Sequence, residues 1–573
     1  MEKPVTEQSN FITKDIDVAD ADGIVRLLQQ AESEIFSGYS LYKGVYDRSL
    51  LDCISEVASK AAEVLKDPVN NVLVISGCGT SGRLAFAIAT KFTKLLGRSG
   101  CYHYLVAGGD RVLLRSHEAP EDDYQKGIED LKEIVKGKTR VLFVGVTCGL
   151  SAPYVAGQLD YSLDHSDRFT TVLLGFNPTN MARRTPIRNW HKTFYDVVKR
   201  MEQCGGSAYI VNPVIGPEPI TGSTRMKGGT ATKILLEVIF SIAHLLLRDH
   251  VITPAVTIDM LQCYELVWRR VCILKETISR AVSLAGESLL AGGHIYYVGC
   301  KQSGLIGLID ASECPPTYGA SFSDVRGFVA RGDSSLDNLI GYLSSEEEGY
   351  HIDLDHFRDY MIPTLNSHDL VVFTKFCSDT ADDDDQLWSL LRDVSCKTVV
   401  VMVTKETTSP TQLPASDVTI TLQLPNKATT VLCPHMPHLS LCLAQVGTKW
   451  ILNTMTTGAH VLKGKVVSNL MIDVQVSNDK LYHRAVGIIK DVAKTTEEDA
   501  RVCLLRSIYE LDILSDQIKN SQDVSAHIKK ATEMKKVVPT ALLLAQSSRQ
   551  FTVKNARALL EQDPIVRRVI TTL

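Results

Sequence analysis

A run of glycines and hydroxyl residues follows an apolar segment near residue 77. Residues 72–76 are mostly β-branched or long apolar residues, which is typical of a strand buried on both faces. The turn that follows contains three glycines and two hydroxyl residues: Gly77, Gly79, Thr80, Ser81 and Gly82. Free backbone N–H groups and hydroxyls at a strand-to-helix turn can bind a phosphate group. The turn therefore predicts a phosphate cradle, although a tight turn without a ligand would use the same glycines.

A second turn of the same design follows the apolar segment 141–146. It contains Thr147, Cys148, Gly149 and Ser151, and Pro153 then favours the start of a helix. In a parallel sheet, both turns would lie at the carboxyl ends of the strands, where ligands bind. Two such turns at one sheet edge are more specific for a phosphate than either turn alone.

Two nucleotide-binding motifs fit this cradle poorly. The first turn lacks the Gly-Lys-Ser/Thr sequence of the P-loop. Gly77, Gly79 and Gly82 do match the Gly-x-Gly-x-x-Gly pattern of dinucleotide-binding folds, but no acidic residue ends a second strand about 20 residues later. Lys91 and Lys94 lie nearby instead, so the sequence does not predict a dinucleotide cofactor, and we expect no cofactor.

The bulk composition excludes several classes of protein. With 573 residues the chain is long enough for two or three domains, and its net charge of -5 is untypical of nucleic-acid-binding proteins. The 14 cysteines form no Cys-x-x-Cys pair, which favours reduced thiols, and the 15 histidines show no metal-ligand spacing. No apolar signal sequence and no run of transmembrane length is apparent. We therefore expect a cytoplasmic or nuclear protein without metal, nucleic acid or membrane partners.

Strand-like and helix-like segments alternate along most of the chain. Predicted strands cover residues 72–76, 102–107, 141–146, 170–174, 208–211, 370–374, 398–403 and 418–424. This alternation predicts parallel α/β sheets. The predicted divisions are an N-terminal helical segment (1–60), a first sheet domain with the cradle (61–250), a helical linker (251–290), a second sheet domain (291–465) and an all-helical C-terminal domain (466–573).

The second sheet domain repeats the first turn. Lys301 lies 222 residues after Gly79, and Ser303 and Gly304 repeat Ser81 and Gly82, while Gln302 replaces Thr80. This spacing indicates an internal duplication. Four consecutive aspartates, 382–385, follow the segment that corresponds to the second turn, and their charges would repel a phosphate. The sequence thus predicts one competent phosphate site, in the first copy.

These motifs carry a resemblance to a known family. The matching segments are 77–83, 149–154, 175–178, 216–233, 310–319, 457–460 and 464–481. The chain resembles the glucokinase regulatory protein family and its bacterial relatives, the N-acetylmuramic acid 6-phosphate etherases. The resemblance implies an α/β protein with two SIS-type parallel α/β sandwich domains in tandem and a C-terminal all-helical lid domain.

The resemblance also implies a function and a site. Members of the family inhibit glucokinase, with fructose 6-phosphate strengthening the inhibition and fructose 1-phosphate relieving it. By resemblance we expect a monomer in the cytoplasm and nucleus. The sugar-phosphate-binding residues that it implies are Gly79, Thr80, Ser81, Glu118, Glu121, Thr147, Cys148, Gly149, Ser151, Glu313 and Lys465.

An active lyase is the alternative interpretation. Glu121 and Glu313 correspond to the etherase's catalytic pair, and elimination of lactate needs a base for the C2 proton and an acid for the leaving oxygen. The position that matches Glu313 in the first copy is Lys91, so a symmetric second site is absent. A sugar-phosphate isomerase is disfavoured because no histidine lies beside the cradle in the sequence.

Overall fold

The computed structural model describes most of the chain. The described residues are 3–97, 100–113, 119–330, 351–376, 378–405, 415–426, 436, 438–521, 523–546, 551–563 and 565–571.

The first sheet consists of five parallel strands. Its strands are β1 (Asn71–Gly77), β2 (Tyr102–Val106), β3 (Arg140–Val146), β4 (Phe169–Leu174) and β5 (Ala208–Val211). They lie in the order β2-β1-β3-β4-β5. The chain continues from β1 to its neighbour on one side, β2, and from β3 to its neighbour on the other side, β4. This reversal of direction opens a crevice beyond the carboxyl ends of β1 and β3.

The second sheet repeats this topology. Its strands are β6 (Ile295–Cys300), β7 (Val325–Ala330), β8 (Leu370–Phe376), β9 (Lys397–Lys405) and β10 (Val418–Leu424). They lie in the order β7-β6-β8-β9-β10, and all are parallel. Strand β7 was not predicted, because Arg326 and Gly327 interrupt its apolar pattern. The identical order of the strands is the structural counterpart of the sequence repeat.

Helices flank both sheets and form the C-terminal region. The α-helices are α1 (Ala21–Glu32), α2 (Glu34–Ser37), α3 (Arg48–Leu65), α4 (Gly79–Leu96), α5 (Tyr124–Ile134), α6 (Pro153–Asp164), α7 (Phe194–Gln203), α8 (Lys227–Leu246), α9 (Pro254–Ile273), α10 (Lys275–Leu290), α11 (Lys301–Ser312), α12 (Cys314–Tyr318), α13 (Leu354–His356), α14 (Ala381–Asp393), α15 (Leu439–Leu462), α16 (Asp479–Ala493), α17 (Glu497–Tyr509), α18 (Asp516–Lys519), α19 (Ser525–Ala531), α20 (Val537–Ala545), α21 (Val553–Gln562) and α22 (Val566–Thr571). A short hairpin of β11 (Val466–Val467) and β12 (Leu470–Met471) precedes α16. Single 3-10 turns include Val5–Glu7 and Ala119–Asp122.

Two long helices, α8 and α15, hold the two sheets together. Each is buried along nearly its whole length, and the two pack against each other. Helix α8 also packs on α3 and α4 of the first sheet, while α15 packs on α10 and α11 of the second. Because their side chains belong to one shared apolar cluster, the two sheet units and the C-terminal helices form a continuous core.

Helix α8 is long and apolar. It begins at Lys227, since the glycines and threonines after Met226 are helical. By length and composition it is the one helix among the described residues that could cross a membrane. However, 94% of its apolar 18-residue stretch is buried inside the protein, so the apolar side chains pack in the core.

The predicted fold class is confirmed. Two parallel α/β sheet units occur in tandem, and the regular elements among the described residues after 478 are all helices. The strand positions of the first unit differ from the predicted ones by one residue or less at each end. The division of the chain into 1–60, 61–250, 251–290, 291–465 and 466–573 stays a prediction.

Candidate functional site

The candidate site lies where β1 and β3 end side by side. The two strands are in register up to Gly77 and Val146, so the turns that follow them start next to each other. The Ser81 hydroxyl of the first turn lies 3.8 Å from the Cys148 thiol of the second. The structure thus brings together the two hydroxyl-containing turns that the sequence singled out.

The first turn is shaped by its glycines and leaves a helix N-terminus open. Gly79 adopts a left-handed conformation (φ +49°), and a Cβ on Gly77 would lie 2.6 Å from Cβ of Ser81. Helix α4 starts at Gly79, and the side chain of the preceding Cys78 does not cap its first turn. Gly79 and Thr80 line the cleft. Uncapped N–H groups and the positive end of the helix dipole favour an anion there.

The second turn is held from both sides. Thr147 Oγ1 accepts a hydrogen bond from the Ser151 amide (3.3 Å), and Leu150 is left-handed (φ +51°). Asn177 donates to the Gly149 carbonyl (3.0 Å) and accepts from the Thr6 amide (3.0 Å). The N-terminal segment therefore fixes the turn whose Thr147, Cys148, Gly149 and Ser151 line the cleft.

The cleft consists of two adjoining cavities. One of about 70 Å³ is lined by Gly79, Thr80 and Glu313, and one of about 50 Å³ is lined by Ser81, Thr147 and Ser151. Both are lined by the same six residues where they meet: Cys78, Glu121, Gly222, Thr224, Lys480 and Arg484. These volumes hold only a few water molecules. A hexose phosphate must therefore displace the side chains of Lys480 and Arg484 or move the lid.

Two carboxylates face this cleft from different sheet units. Glu121 comes from the 3-10 turn after β2 and is 5% exposed, and Glu313 comes from the end of α11 and is 2% exposed. Neither oxygen of Glu313 forms a hydrogen bond of full geometry within the described part of the chain, although the Thr80 hydroxyl lies close enough to lower its pKa. Burial raises the pKa of Glu313, and the positive charges of Arg83, Lys449 and Arg225 oppose that rise. An unpartnered buried carboxyl group is suited to accept or donate a hydrogen bond to a ligand hydroxyl.

The C-terminal lid supplies cations to the same cleft. Helix α16 begins at Asp479 and is capped by Asn478, whose side chain accepts from the Leu481 amide (2.8 Å). Lys480 in its first turn donates to Glu121 (2.6 Å). One turn later, Arg484 donates to Glu7 (2.6 Å) and packs over Gly222. Two cations therefore close the cleft, and acidic side chains pair with both.

Lys465, expected from the resemblance to bind the sugar phosphate, does not line the cleft. It is buried and forms an ion pair with Asp473, and it is not among the residues that line either cavity. Glu118 lies outside the described residues. The other predicted positions line the cleft: Gly79, Thr80, Ser81, Glu121, Thr147, Cys148, Gly149, Ser151 and Glu313. Their role in binding stays a prediction.

Sequence reasoning missed Lys480 and Arg484 as cleft residues. The sequence Asn478-Asp479-Lys480 is a helix-start signal, and it lies within one of the segments that carry the family resemblance. Only the folded lid, however, shows that the first turn of α16 points over the cradle. The Cys148 thiol is unsuited to nucleophilic chemistry, because burial raises its pKa to about 11. Within the described ranges no three His, Cys, Asp or Glu side chains are grouped to hold a metal.

A larger cavity of about 450 Å³ lies on the far side of Ser151, in the seam between the first unit and the lid. Asp122 faces it, accepts a hydrogen bond from the Asp479 amide (2.9 Å) and lies near the ion pair of Arg183 with Asp479. Burial, with the negative charges of Glu121 and Asp479, raises the pKa of Asp122 to about 6, and the Asp479 amide and Arg183 oppose that rise.

The raised pKa of Asp122 predicts a pH-dependent lid contact. Between pH 4 and 6 the folded chain keeps a proton that the unfolded chain releases, so this contribution to stability is lost as the pH rises through 6. Asp122→Asn keeps an acceptor for the Asp479 amide without the charge. We expect the melting temperature of Asp122→Asn to equal or exceed that of the wild type at pH 7.5. When the pH is lowered from 7.5 to 5, the free energy of unfolding of the wild type should rise by about 1–2 kcal/mol relative to that of Asp122→Asn.

Thermal unfolding at both pH values checks this prediction. The control is Asp167→Asn, which removes one exposed carboxylate from the surface. A difference between Asp122→Asn and wild type that stays the same at pH 5 and pH 7.5 would contradict the assignment.

Three family models match this chain. The glucokinase regulatory protein N-terminal SIS domain matches residues 56–163, the second SIS domain of that protein matches residues 273–463, and its C-terminal lid domain matches residues 468–570. The chain is 36% identical to the glucokinase regulatory protein of Xenopus laevis, over 99% of this chain and 92% of that protein. It is 38% identical to the glucokinase regulatory protein of Homo sapiens, over 94% of this chain and 88% of that protein.

A bacterial enzyme matches a shorter part of the chain. The chain is 35% identical to the N-acetylmuramic acid 6-phosphate etherase of Symbiobacterium thermophilum, over 39% of this chain and 68% of that protein.

Proposed function

The chain belongs to the glucokinase regulatory protein family, and on that basis we propose that it is a sugar-phosphate-binding regulator of a glucokinase. The cleft at the ends of β1 and β3 holds the sugar phosphate. The kinase is bound elsewhere on the protein, and occupancy of the cleft changes the strength of inhibition.

One observation carries the assignment of the cleft. Two hydroxyl-containing turns, two buried carboxyl groups and two lid cations converge on a single crevice at the switch point of a parallel sheet. The Ser81 and Ser151 turns suit the phosphate. Glu121 and Glu313 suit sugar hydroxyls, and the ammonium group of Lys480 suits a negatively charged ligand.

The proposed effectors are fructose 6-phosphate, which strengthens inhibition, and fructose 1-phosphate, which relieves it. We infer that the protein acts as a monomer, because Glu313 reaches the cleft from the second unit of the same chain. A partner subunit is therefore not needed to complete the site. The proposed location of the protein is the cytoplasm and the nucleus.

The cradle predicts a loss of affinity when its hydroxyls are removed. Replacing both Ser81 and Ser151 by Ala should weaken binding of fructose 6-phosphate by about 1–3 kcal/mol, the scale of hydrogen bonds to a charged group. Isothermal titration calorimetry measures this as a loss of about 5- to 150-fold in affinity. Ser303→Ala, at the matching position of the second unit, is the control and should leave the affinity unchanged. An unaltered affinity in the double variant would contradict the cradle assignment.

The regulatory role is tested on a purified glucokinase. We expect the chain to inhibit phosphorylation of glucose, more strongly with fructose 6-phosphate and less strongly with fructose 1-phosphate. In the Ser81→Ala/Ser151→Ala variant both effectors should lose their influence, because they share the cradle. If the wild type inhibits glucokinase equally with and without each sugar phosphate, the proposal that the cleft regulates inhibition is wrong.

An etherase-like lyase is the second candidate, since Glu121 and Glu313 line one cavity. In this conformation Glu121 is ion-paired with Lys480, and the position equivalent to Glu313 in the first unit is a lysine. We therefore expect no release of lactate from N-acetylmuramic acid 6-phosphate. A coupled lactate assay decides the matter: sustained turnover that Glu313→Gln abolishes would favour the lyase.

A further inference from the structure

The second sheet unit contains a turn with the backbone of the first cradle. Lys301 is the first residue of α11, as Gly79 is the first residue of α4, and its φ of +45° matches the +49° of Gly79. A lysine rarely adopts this left-handed conformation, which glycine adopts without strain. The second unit has therefore kept the shape of the cradle although its sequence has changed.

A carboxylate of the chain lies beside the hydroxyl of this second turn. Asp379 is the third residue after β8, as Gly149 is the third residue after β3. Its Oδ2 accepts a hydrogen bond from the Phe376 amide (2.7 Å) and lies 3.4 Å from Ser303 Oγ. Ser303 matches Ser81 but is completely buried, whereas Ser81 lines an open cavity.

The sugar side of the second cleft is also filled. Lys91, the counterpart of Glu313, is buried and ion-paired with Glu237. Its ammonium group donates to Gln445 Oε1 (3.0 Å), and Gln445 Nε2 donates to Gln302 Oε1 (2.8 Å). Gln302 matches Thr80 of the first cradle. A continuous chain of side chains thus joins the first unit to the second turn, whereas the corresponding Glu313 and Thr80 line an open cavity in the first cleft.

We propose that the second cleft is permanently occupied by the protein's own side chains, with the Asp379 carboxylate in the place of the anion and the Lys91–Gln445–Gln302 chain in the place of the sugar. The second unit is then held in a ligand-bound shape and acts as a rigid support that presents Glu313 to the first cleft. It follows that one sugar phosphate binds per chain. This last point rests on the proposed function, whereas the occupation of the second cleft does not.

Chemical rescue of an Asp379→Ala variant tests the proposal. The substitution removes a carboxylate from a half-buried position that formate can enter from the solvent. We expect a melting temperature lower by ~2–4 °C. Sodium formate should restore at least half of this loss, and sodium chloride of equal ionic strength should not. Asp385→Ala, which removes an exposed carboxylate from α14, is the matched control and should show neither effect. An unchanged melting temperature, or equal effects of formate and chloride, would overturn the proposal.

A second measurement uses the intact chain in case Asp379→Ala does not fold. Titration with fructose 6-phosphate should give one site per chain in the wild type and in Ser303→Ala. Two sites, the second of which Ser303→Ala removes, would overturn the proposal. A complete absence of binding would contradict the proposed function instead, and recovery of folded Asp379→Ala by refolding in sodium formate, but not in sodium chloride, would still decide whether Asp379 fills the second cleft.

Discussion

The buried carboxyl group of Glu313 ties the two halves of the molecule together. It belongs to the second unit but faces the cleft of the first, among the cations of Arg83, Arg225 and Lys449. Burying an acidic group away from water is costly unless opposite charges and hydrogen bonds compensate. Any displacement of one unit against the other would change the distances from Glu313 to these three cations, which oppose the rise of its pKa. The relative position of the two sheets is therefore set by electrostatics as well as by the shared apolar core.

Arg225 also links the two units, through hydrogen bonds in the core. Its guanidinium donates to the hydroxyls of Thr456 (2.7 Å) and Thr457 (2.9 Å) on α15. Lys449 of the same helix donates to the Arg225 carbonyl (2.6 Å). The loop before α8, which lines the cleft, is thus anchored to a helix of the other unit. The half-buried polar groups of the lid can rearrange at a lower cost than this buried network.

The sequence predicted the two turns but not what closes them. Each turn could be found because a buried strand precedes it and because glycine and hydroxyl residues have few other uses in that pattern. That Glu121 and Glu313 meet depends on how two units pack, which local patterns do not contain. Lys480 was missed for the same reason, since a lysine in the first turn of a helix is ordinary until its surroundings are known. Lys465 forms an ion pair with Asp473, because a buried ammonium group needs an opposite charge nearby.

The lid cations connect ligand binding to the N-terminal segment. Lys480 and Arg484 are paired with Glu121 and Glu7, so a phosphate gains their charges only by competing with these carboxylates. Its affinity is then the difference between two sets of ion pairs, not the sum of new ones. Glu7 lies next to Thr6, which holds the second turn through Asn177. An anion that draws Arg484 away from Glu7 therefore alters a contact of the N-terminal segment, and by linkage the position of that segment alters the affinity for the anion.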